Sequence, residues 1–219
     1  MAPVNPPAAV HNLIILDESG SMDIVCETTV RGFNELVQTV QGLAREFPDK
    51  AQLVSLTTFN GLGIRGKLFM QPVANLQPLT LDDYIPTATT PLFDAIGQSV
   101  TRLRNCLEAE GGKPHQVLVT VLTDGEENAS KEYTRAAVSE LIAGLQAQGW
   151  TFTYIGANHD VSAVSASLSI GSNLSFNQND AEMKQMFAKE RAARRRYNLN
   201  AEESADYFAD DTPEPEMPL

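Results

Sequence analysis

Apolar residues along this chain occur in two patterns, and each pattern predicts one kind of secondary structure. Residues 11–16 form a short, mostly apolar run that stops at Asp17. Such a run is too short for a helix and indicates a strand buried on both faces. Residues 22–47 instead carry apolar side chains three and four positions apart, which is typical of an amphipathic helix. Strands and helices predicted in this way follow one another along the chain, and this order favours a mostly parallel sheet with helices on both faces.

The predicted elements form one doubly wound α/β domain of Rossmann-like type over residues 10–198. The Asn60-Gly61 pair is a hairpin signal and predicts that the strand after it is an antiparallel strand at the edge of the sheet. Residues 1–9 are predicted to form a loose arm. Residues 199–219 are acidic and contain prolines, and they are predicted to form a disordered tail. We predict strands at 11–16, 51–59, 64–73, 116–122, 150–155 and 174–176, helices at 22–47, 92–107, 130–148, 160–168 and 180–197, and a long loop at 74–91.

The charge and hydropathy of the chain argue against nucleic acid and membranes as partners. Its 219 residues include 28 acidic and 16 basic side chains, a net charge of −12, whereas phosphate contacts need clustered lysines and arginines. The basic cluster at 191–196 is interpreted as the end of a helix, with pairing to the acidic tail as a further option. No apolar run approaches the roughly 20 residues of a membrane span. No export signal is visible either, so we expect a cytoplasmic protein with Cys26 and Cys106 reduced.

Oxygen-bearing side chains follow two of the predicted strands and precede one of the helices. Asp17-Glu18-Ser19-Gly20-Ser21 follows the first strand, Thr123-Asp124-Gly125 follows a later one, and Thr89-Thr90 precedes a helix. Ligands of such sheets bind beyond the carboxyl ends of the strands, so we expect these three loops to meet at one edge. A ring of carboxylate and hydroxyl oxygens suits Mg²⁺, Mn²⁺ or Ca²⁺ and does not suit zinc. In a purely structural alternative, the serines cap the following helix and the two aspartates bind only backbone N–H groups.

This pattern resembles the metal-ion-dependent adhesion site of von Willebrand factor A domains, over roughly residues 10–178. The segments TTPLFDAIG, LTDGEENAS and YIGANHD are similar to those of small stand-alone bacterial or phage members of that family. The resemblance selects Thr90 rather than Thr89, because Thr90 precedes the helix at the spacing that the family shows. Glu18 within the motif and the residues after 180 depart from the family pattern. Carried over position by position, the resemblance implies that a divalent cation, Mg²⁺ first and Mn²⁺ or Ca²⁺ as alternatives, is held by Asp17, Ser19, Ser21, Thr90 and Asp124.

The resemblance implies a binding module and not an enzyme. The cation would hold an Asp or Glu of a protein partner, and the loops at 74–91, 125–130 and 157–160 would supply selectivity. One alternative is a scaffold that acts through its acidic tail. Another is a hydrolase or phosphatase that uses the same ion as a Lewis acid. Its base or nucleophile would come from Glu18, Glu126, Glu127 or His159, although the turn at 159–160 is interpreted more simply as a helix start capped by Asp160.

Overall fold

The computed structural model describes residues 9–111, 114–124, 126–157, 160–176, 180–199 and 207–208, and six strands among them form a single sheet. In chain order they are β1 (Ala9–Asp17), β2 (Gln52–Asn60), β3 (Gly63–Pro72), β4 (His115–Thr123), β5 (Thr151–Ala157) and β6 (Ser172–Phe176). Their order in the sheet is β3-β2-β1-β4-β5-β6. All neighbours run parallel except β2 and β3, which pair antiparallel at one edge. This arrangement confirms the predicted sheet.

Five α-helices of the described chain cover the two faces of the sheet. They are α1 (Cys26–Glu46), α2 (Leu92–Ala109), α3 (Arg135–Gln146), α4 (Val161–Ser167) and α5 (Asp180–Leu199), and a short 3₁₀-helix, Gly20–Val25, leads into α1. One hydrophobic core lies between the sheet and α2, α3 and α4, and a second lies between the sheet and α1 and α5. Helices on both faces are thus confirmed. None of these described helices is long and apolar enough to cross a membrane.

The central strand β1 is apolar at successive positions because both of its faces are buried. Successive residues of a strand point to opposite faces. Leu13 and Ile15 therefore join the core beside α2, while Ile14 and Leu16 join the core beside α1. All four are at most 2% exposed, and burial of each such side chain stabilises the fold by about 1.5–3 kcal/mol. Asp17 is the last residue of β1, so the first polar side chain of the motif emerges at the carboxyl edge of the sheet.

Helix α3 begins later than predicted. The sequence pattern placed its start at Ser130, but the helix begins at Arg135, after Thr134, whose hydroxyl oxygen accepts the Ala137 backbone N–H at 3.2 Å. The backbone N–H groups of residues 131–133 donate to the carboxylate of Asp94 at 2.8–2.9 Å. This carboxylate lies in the first turn of α2. Because it engages these N–H groups, the chain stays non-helical until Thr134.

The predicted basic helix end turns out to be part of the packing between α5 and the rest of the fold. Arg194 is fully buried; its guanidinium lies 2.7 Å from Glu190 and donates to Asn12 at 2.8 Å and to Thr120 at 2.9 Å. Its neighbours Arg191 and Arg195 reach carboxylates on α1, Glu35 at 4.0 Å and Glu46 at 2.5 Å. These three arginines therefore pair with helix carboxylates, and the acidic residues of the predicted tail lie outside the described residues, so pairing with the tail stays a prediction.

Two residues beyond α5 are described, Tyr207 and Phe208. Tyr207 is 4% exposed and packs on Tyr197 of α5, with 6.1 Å between the ring centroids. Its backbone N–H donates to the hydroxyl of Ser172 at 3.2 Å. This turn therefore packs on the domain near the amino end of β1. Residues 1–8 of the arm and residues 200–206 and 209–219 of the predicted tail lie outside the described residues.

Candidate metal-binding site

The sheet has one point where its strand order reverses, and it lies between β1 and β4. From β1 the chain moves outward through β2 and β3 on one side, and from β4 it moves outward through β5 and β6 on the other. Ligands of such folds bind in the crevice outside this point, at the carboxyl ends of the strands. Asp17 ends β1 and Asp124 directly follows β4. The two predicted carboxylates therefore stand at the position where the topology places a binding site.

The carboxylate of Asp17 is fully buried and held by two donors. The Ser19 backbone N–H donates to Oδ1 at 2.7 Å, and the hydroxyl of Thr123 donates to Oδ2 at 2.6 Å. Burial raises the pKa of Asp17 to about 6, the hydrogen bonds from Thr123 and Ser19 lower it, and the charge of Asp124 raises it. The two donors thus compensate the burial of this charge only in part. A cation beside Asp17 and Asp124 would offset the remainder.

The two serines of the motif bring their hydroxyl oxygens to 3.1 Å from each other. Two adjacent ligands of an octahedral Mg²⁺, each at 2.0–2.1 Å from the ion, lie about 3 Å apart, so this spacing fits one shared cation. Ser19 is fully buried, whereas Ser21 is exposed. Ser19 precedes the 3₁₀-helix without a capping hydrogen bond from its side chain, and the residue before α1 is Val25. The alternative in which the serines cap the following helix is therefore wrong.

The threonine of the set is the buried one of a pair. Thr90 is 2% exposed, whereas Thr89 is exposed and packs its hydroxyl side against the backbone of Gly61. The Thr90 backbone N–H donates to the side-chain oxygen of Asn128 at 2.8 Å, and the Asn128 backbone N–H donates to the Thr90 carbonyl at 3.1 Å. Asn128 belongs to the loop after β4, so these two bonds join the Thr90 loop to the Asp124 loop.

The loop after β1 is joined to the Thr90 loop in the same way. The Gly20 backbone N–H donates to the Ala88 carbonyl at 2.9 Å, and the Thr87 backbone N–H donates to the Glu18 carbonyl at 2.9 Å. Ala88 adopts a left-handed backbone with φ +64°, which costs a non-glycine residue of the order of 1 kcal/mol. The Asp124 loop also contacts the 3₁₀-helix, since the Asp124 backbone N–H lies 3.1 Å from the sulfur of Met22. All three loops are therefore linked directly.

Acidic residues near the edge serve as acceptors for the loops themselves. The carboxylate of Glu127 accepts the backbone N–H groups of Phe93, Ala129 and Ser130 and the Ser130 hydroxyl, at 2.7–2.9 Å. Asp94, which sequence reasoning gave no role, accepts the three N–H groups described above. The sequence held no local signal for the pairing of Asp94 with residues 131–133, because the two segments lie more than 35 residues apart. Both residues position the loops and are fully engaged in doing so.

Every residue of the predicted ligand set lies on one of these linked loops or on the strand end or 3₁₀-helix that borders it. Ser21 is exposed, and the other four are at most 8% exposed, namely Asp17, Ser19, Thr90 and Asp124. The predicted set comprises two carboxylates and three hydroxyls. No group of three or more His, Cys, Asp or Glu side chains that could hold a metal ion occurs among the described residues. Asp160 accepts the Ala163 backbone N–H at 3.0 Å and caps α4, as interpreted from the sequence. Gly125 and His159 lie outside the described residues.

Fold and edge together define a Rossmann-like α/β domain with oxygen-bearing side chains at the carboxyl edge beside its topological switch point. No family model matches the chain, and no curated protein sequence matches it. It is similar to a structure of proximal thread matrix protein 1 from the mussel byssus, with TM-score 0.56 and 14% identity over 90% of this chain and 47% of the mussel chain. A second crystal form of the mussel protein gives TM-score 0.49 and 15% identity, over 86% and 47% of the two chains.

The likeness to the mussel protein shows a shared fold alone, because the sequences are 14% identical. The chain spans about half the length of that protein. The α/β architecture is compatible with the resemblance to von Willebrand factor A domains. The metal site of that family is not part of what the likeness shows.

Proposed function

We propose that this chain is a metal-dependent protein-binding module of the von Willebrand factor A type. A Mg²⁺-type ion is held by Asp17, Ser19, Ser21, Thr90 and Asp124, and the ion binds an Asp or Glu side chain of a protein partner. The observation that carries the proposal is that the Ser19 and Ser21 hydroxyl oxygens lie 3.1 Å apart directly after the buried Asp17, at the switch point of the sheet where the buried Asp124 follows the neighbouring strand. When bound, the ion supplies an electrophilic position for an anionic oxygen.

The donor count supports a position left for the partner. Mg²⁺ prefers six oxygen ligands, and the proposed set offers five side chains. Four of those side chains are buried beneath the edge, and Ser21 faces solvent. The two carboxylates match the charge of a dication, and the hydroxyls add none. One of the six positions of the ion would therefore lie on the solvent side, and in this proposal a carboxylate oxygen of the partner takes it in place of water.

The surroundings of the edge favour a macromolecular partner. Five large apolar side chains are exposed in the described chain. Four of them follow the motif strand ends or lie on the long loop, with Ile24 on the 3₁₀-helix and Leu62, Leu81 and Ile85 on turns or loops. Exposed apolar residues scattered singly need no explanation, but four on the same segments as the candidate ligands support a binding surface there. The fifth, Leu199, lies at the end of α5.

The acidic residues near the edge support a hydrolase less well than they support a binding module. Glu18 lies 3.4 Å from the guanidinium of Arg65, and Glu127 accepts four hydrogen bonds from its own and a neighbouring loop. A general base must be able to reach a proton of the substrate, and both carboxylates are engaged elsewhere. Glu126 is exposed and has no such bonds among the described residues, so it is the one described candidate left for a hydrolase.

The metal is tested first, by thermal unfolding of metal-stripped protein. An ion that binds only the folded state stabilises it by about 2.7 kcal/mol at a hundredfold excess over Kd, so Mg²⁺ or Mn²⁺ should raise Tm relative to EDTA. Thr90→Ala should weaken Mg²⁺ binding about tenfold, equivalent to roughly 1.4 kcal/mol. Thr89→Ala, one residue away and exposed, is the matched control and should leave it unchanged. Superimposable melts in EDTA and Mg²⁺ would contradict the site.

The partner chemistry is tested with a random peptide library displayed on phage. The library is bound to immobilised wild-type protein in millimolar Mg²⁺ and eluted with EDTA. Enriched peptides should share an Asp or Glu, and replacing it with the amide should abolish their binding. Absence of an acidic residue from the eluted peptides would overturn the binding proposal. Mg²⁺-dependent hydrolysis of generic phosphate or carboxylic esters, lost in Asp17→Asn, would instead support the hydrolase.

A further inference from the structure

A groove of about 390 Å³ lies between α1 and α5, which cover the same face of the sheet. Its α1 wall runs from Glu35 to Glu46, which corresponds to roughly 16 Å of helix. Gly42 lies within that wall and has no side chain to fill the space. The α5 wall carries Arg191 and Arg195. The groove is therefore long enough for about five residues of extended chain, at roughly 3.3 Å each.

Cations outnumber carboxylates in the lining of this groove, although the whole chain has a net charge of −12. Arg191 lies 4.0 Å from Glu35 and Arg195 lies 2.5 Å from Glu46, and these four side chains are 38–60% exposed. Such exposed ion pairs contribute little to stability, and each guanidinium has further N–H donors. Arg45, in the last turn of α1, is exposed and makes no ion pair with a described residue. The groove can therefore bind additional carboxylates.

The described turn after α5 brings an acidic segment close to this groove. Tyr207 packs on Tyr197, which is two positions from Arg195 on α5. Residues 210–216 begin three positions after Tyr207 and contain four acidic side chains and no basic one. An extended chain covers about 10 Å in three residues, which is comparable to the diameter of a helix with its side chains. These acids can therefore cross α5 and reach the arginines of the groove.

The position of Tyr207 also makes the groove a nearer target for these acids than the candidate metal site. Tyr207 packs beside Val10, near the amino end of β1, and the nine residues of β1 separate it from the carboxyl edge. That distance is about 30 Å, which takes about nine extended residues to cover. The last turn of α1, with Arg45, lies at the amino edge, since a short turn leads from it into β2.

We infer that residues 210–216 bind in the groove between α1 and α5, with their carboxylates on Arg45, Arg191 and Arg195. The bound segment holds α5 against α1 and closes the groove to acidic segments of other proteins. The two prolines of the segment favour an extended backbone, so less conformational entropy is lost on binding. This inference does not depend on the proposed metal site, which stays accessible at the other edge of the sheet.

Cleavage of the full chain by a glutamate-specific protease tests the inference. Cleavage after Glu216 releases residues 217–219, and mass spectrometry measures the rate under native conditions. Arg191→Glu should speed this cleavage about fivefold, equivalent to roughly 1 kcal/mol. Arg31→Glu is the matched control and should leave the rate unchanged. Arg31 is equally exposed (58% against 60%) and also lies 4.0 Å from a glutamate, but it is outside the groove.

A reciprocal change in the segment is needed because Arg191→Glu also removes the ion pair with Glu35. Asp210→Lys combined with Asp211→Lys should speed the cleavage as well, and adding Arg191→Glu to this variant should restore part of the protection. Equal cleavage rates in wild type, Arg191→Glu and the segment variant would overturn the inference. Protection that increases with protein concentration would place the segment on a second copy and would also overturn it. In either case the Mg²⁺-induced rise in Tm tests the proposed function separately.

Discussion

The hydroxyl of Tyr84 donates a hydrogen bond to the backbone carbonyl oxygen of Asp17 inside the protein. Tyr84 is 1% exposed and lies on the same loop as Thr90. Burial and the nearby charge of Asp17 raise the pKa of Tyr84 far above its usual value, so the hydroxyl keeps its proton and remains a donor. This single bond connects the strand end that carries one candidate ligand with the loop that carries another.

Tyr84→Phe should lower the free energy of unfolding by about 1–3 kcal/mol, because a buried carbonyl oxygen loses its hydrogen bond. Mg²⁺ binding should weaken as well, since the loop loses its attachment beside Asp17. Urea unfolding in EDTA and in Mg²⁺ measures both effects. Tyr133→Phe is the matched control: its hydroxyl makes a long 3.4 Å contact with Thr101, so the loss there should stay below about 1 kcal/mol. Equal losses in the two variants would contradict a special role for the Tyr84 bond.

Asp17→Asn should stabilise the metal-free protein above pH 7 while removing its response to Mg²⁺. The pKa of Asp17 is about 6 in the folded protein and 3.8 when unperturbed. The folded state thus binds more protons in this range, and the stability contributed by Asp17 falls as pH rises from about 3.8 through 6. Relief of that penalty is worth up to about 3 kcal/mol. Denaturant unfolding in EDTA measures it, and a less stable variant would show that the charge of Asp17 supports the fold without metal.

Acid should destabilise the protein through His11. Burial, followed by the charge of His115, lowers the pKa of His11 to about 4, and Glu110 partly opposes the shift. The unfolded chain therefore binds a proton that the folded chain does not, and this contribution to stability is lost as pH falls from about 6.5 through 4. The loss amounts to about 3 kcal/mol. His11→Phe cannot titrate, so the difference between the wild-type and variant unfolding curves should grow across that window. A constant difference would contradict the shift.

Removing the charge of Arg194 alone should be strongly destabilising. Arg194→Met strands the carboxylate of Glu190, which is 1% exposed, and losing one member of a buried pair costs about 3–5 kcal/mol. The double variant Arg194→Met, Glu190→Leu should recover much of that loss. Arg195→Met, which removes an ion pair from the surface, should cost less than about 1 kcal/mol. Chemical denaturation distinguishes these cases, and a double variant no more stable than Arg194→Met would contradict the explanation.

The sheet and the positions of the candidate ligands could be predicted because both depend on local patterns. A run such as 13–16 must be buried on both faces, and the residue that ends it must emerge at the edge. Asp17 and Asp124 each follow a predicted parallel strand, so both were expected at the same edge, and the structure adds that these two strands are neighbours. The sequence alone could not exclude that the serines cap the following helix. Excluding it required the geometry of the 3₁₀-helix.

Two features could not be predicted from the sequence because they depend on residues that are distant along the chain. Four arginines at the end of a helix look solvated, and nothing near Arg194 indicates that Asn12 and Thr120 meet it in the interior. The start of α3 was wrong for a related reason. The sequence pattern extended the helix back to Ser130, but the carboxylate of Asp94 in another helix accepts the backbone N–H groups of residues 131–133.

The bonds among the three loops at the carboxyl edge bear on which ion the edge would accept. They join backbone groups to one another, to the Asn128 side chain and to the sulfur of Met22, so protein groups alone connect the three loops. Three loops that are already bonded to one another can change the spacing of their oxygen ligands only a little to suit ions of different radius. Ca²⁺ needs oxygens at 2.3–2.6 Å and in larger number, whereas Mg²⁺ needs six at 2.0–2.1 Å. Such an arrangement of loops would discriminate by size, and the smaller dication would enter with the least distortion.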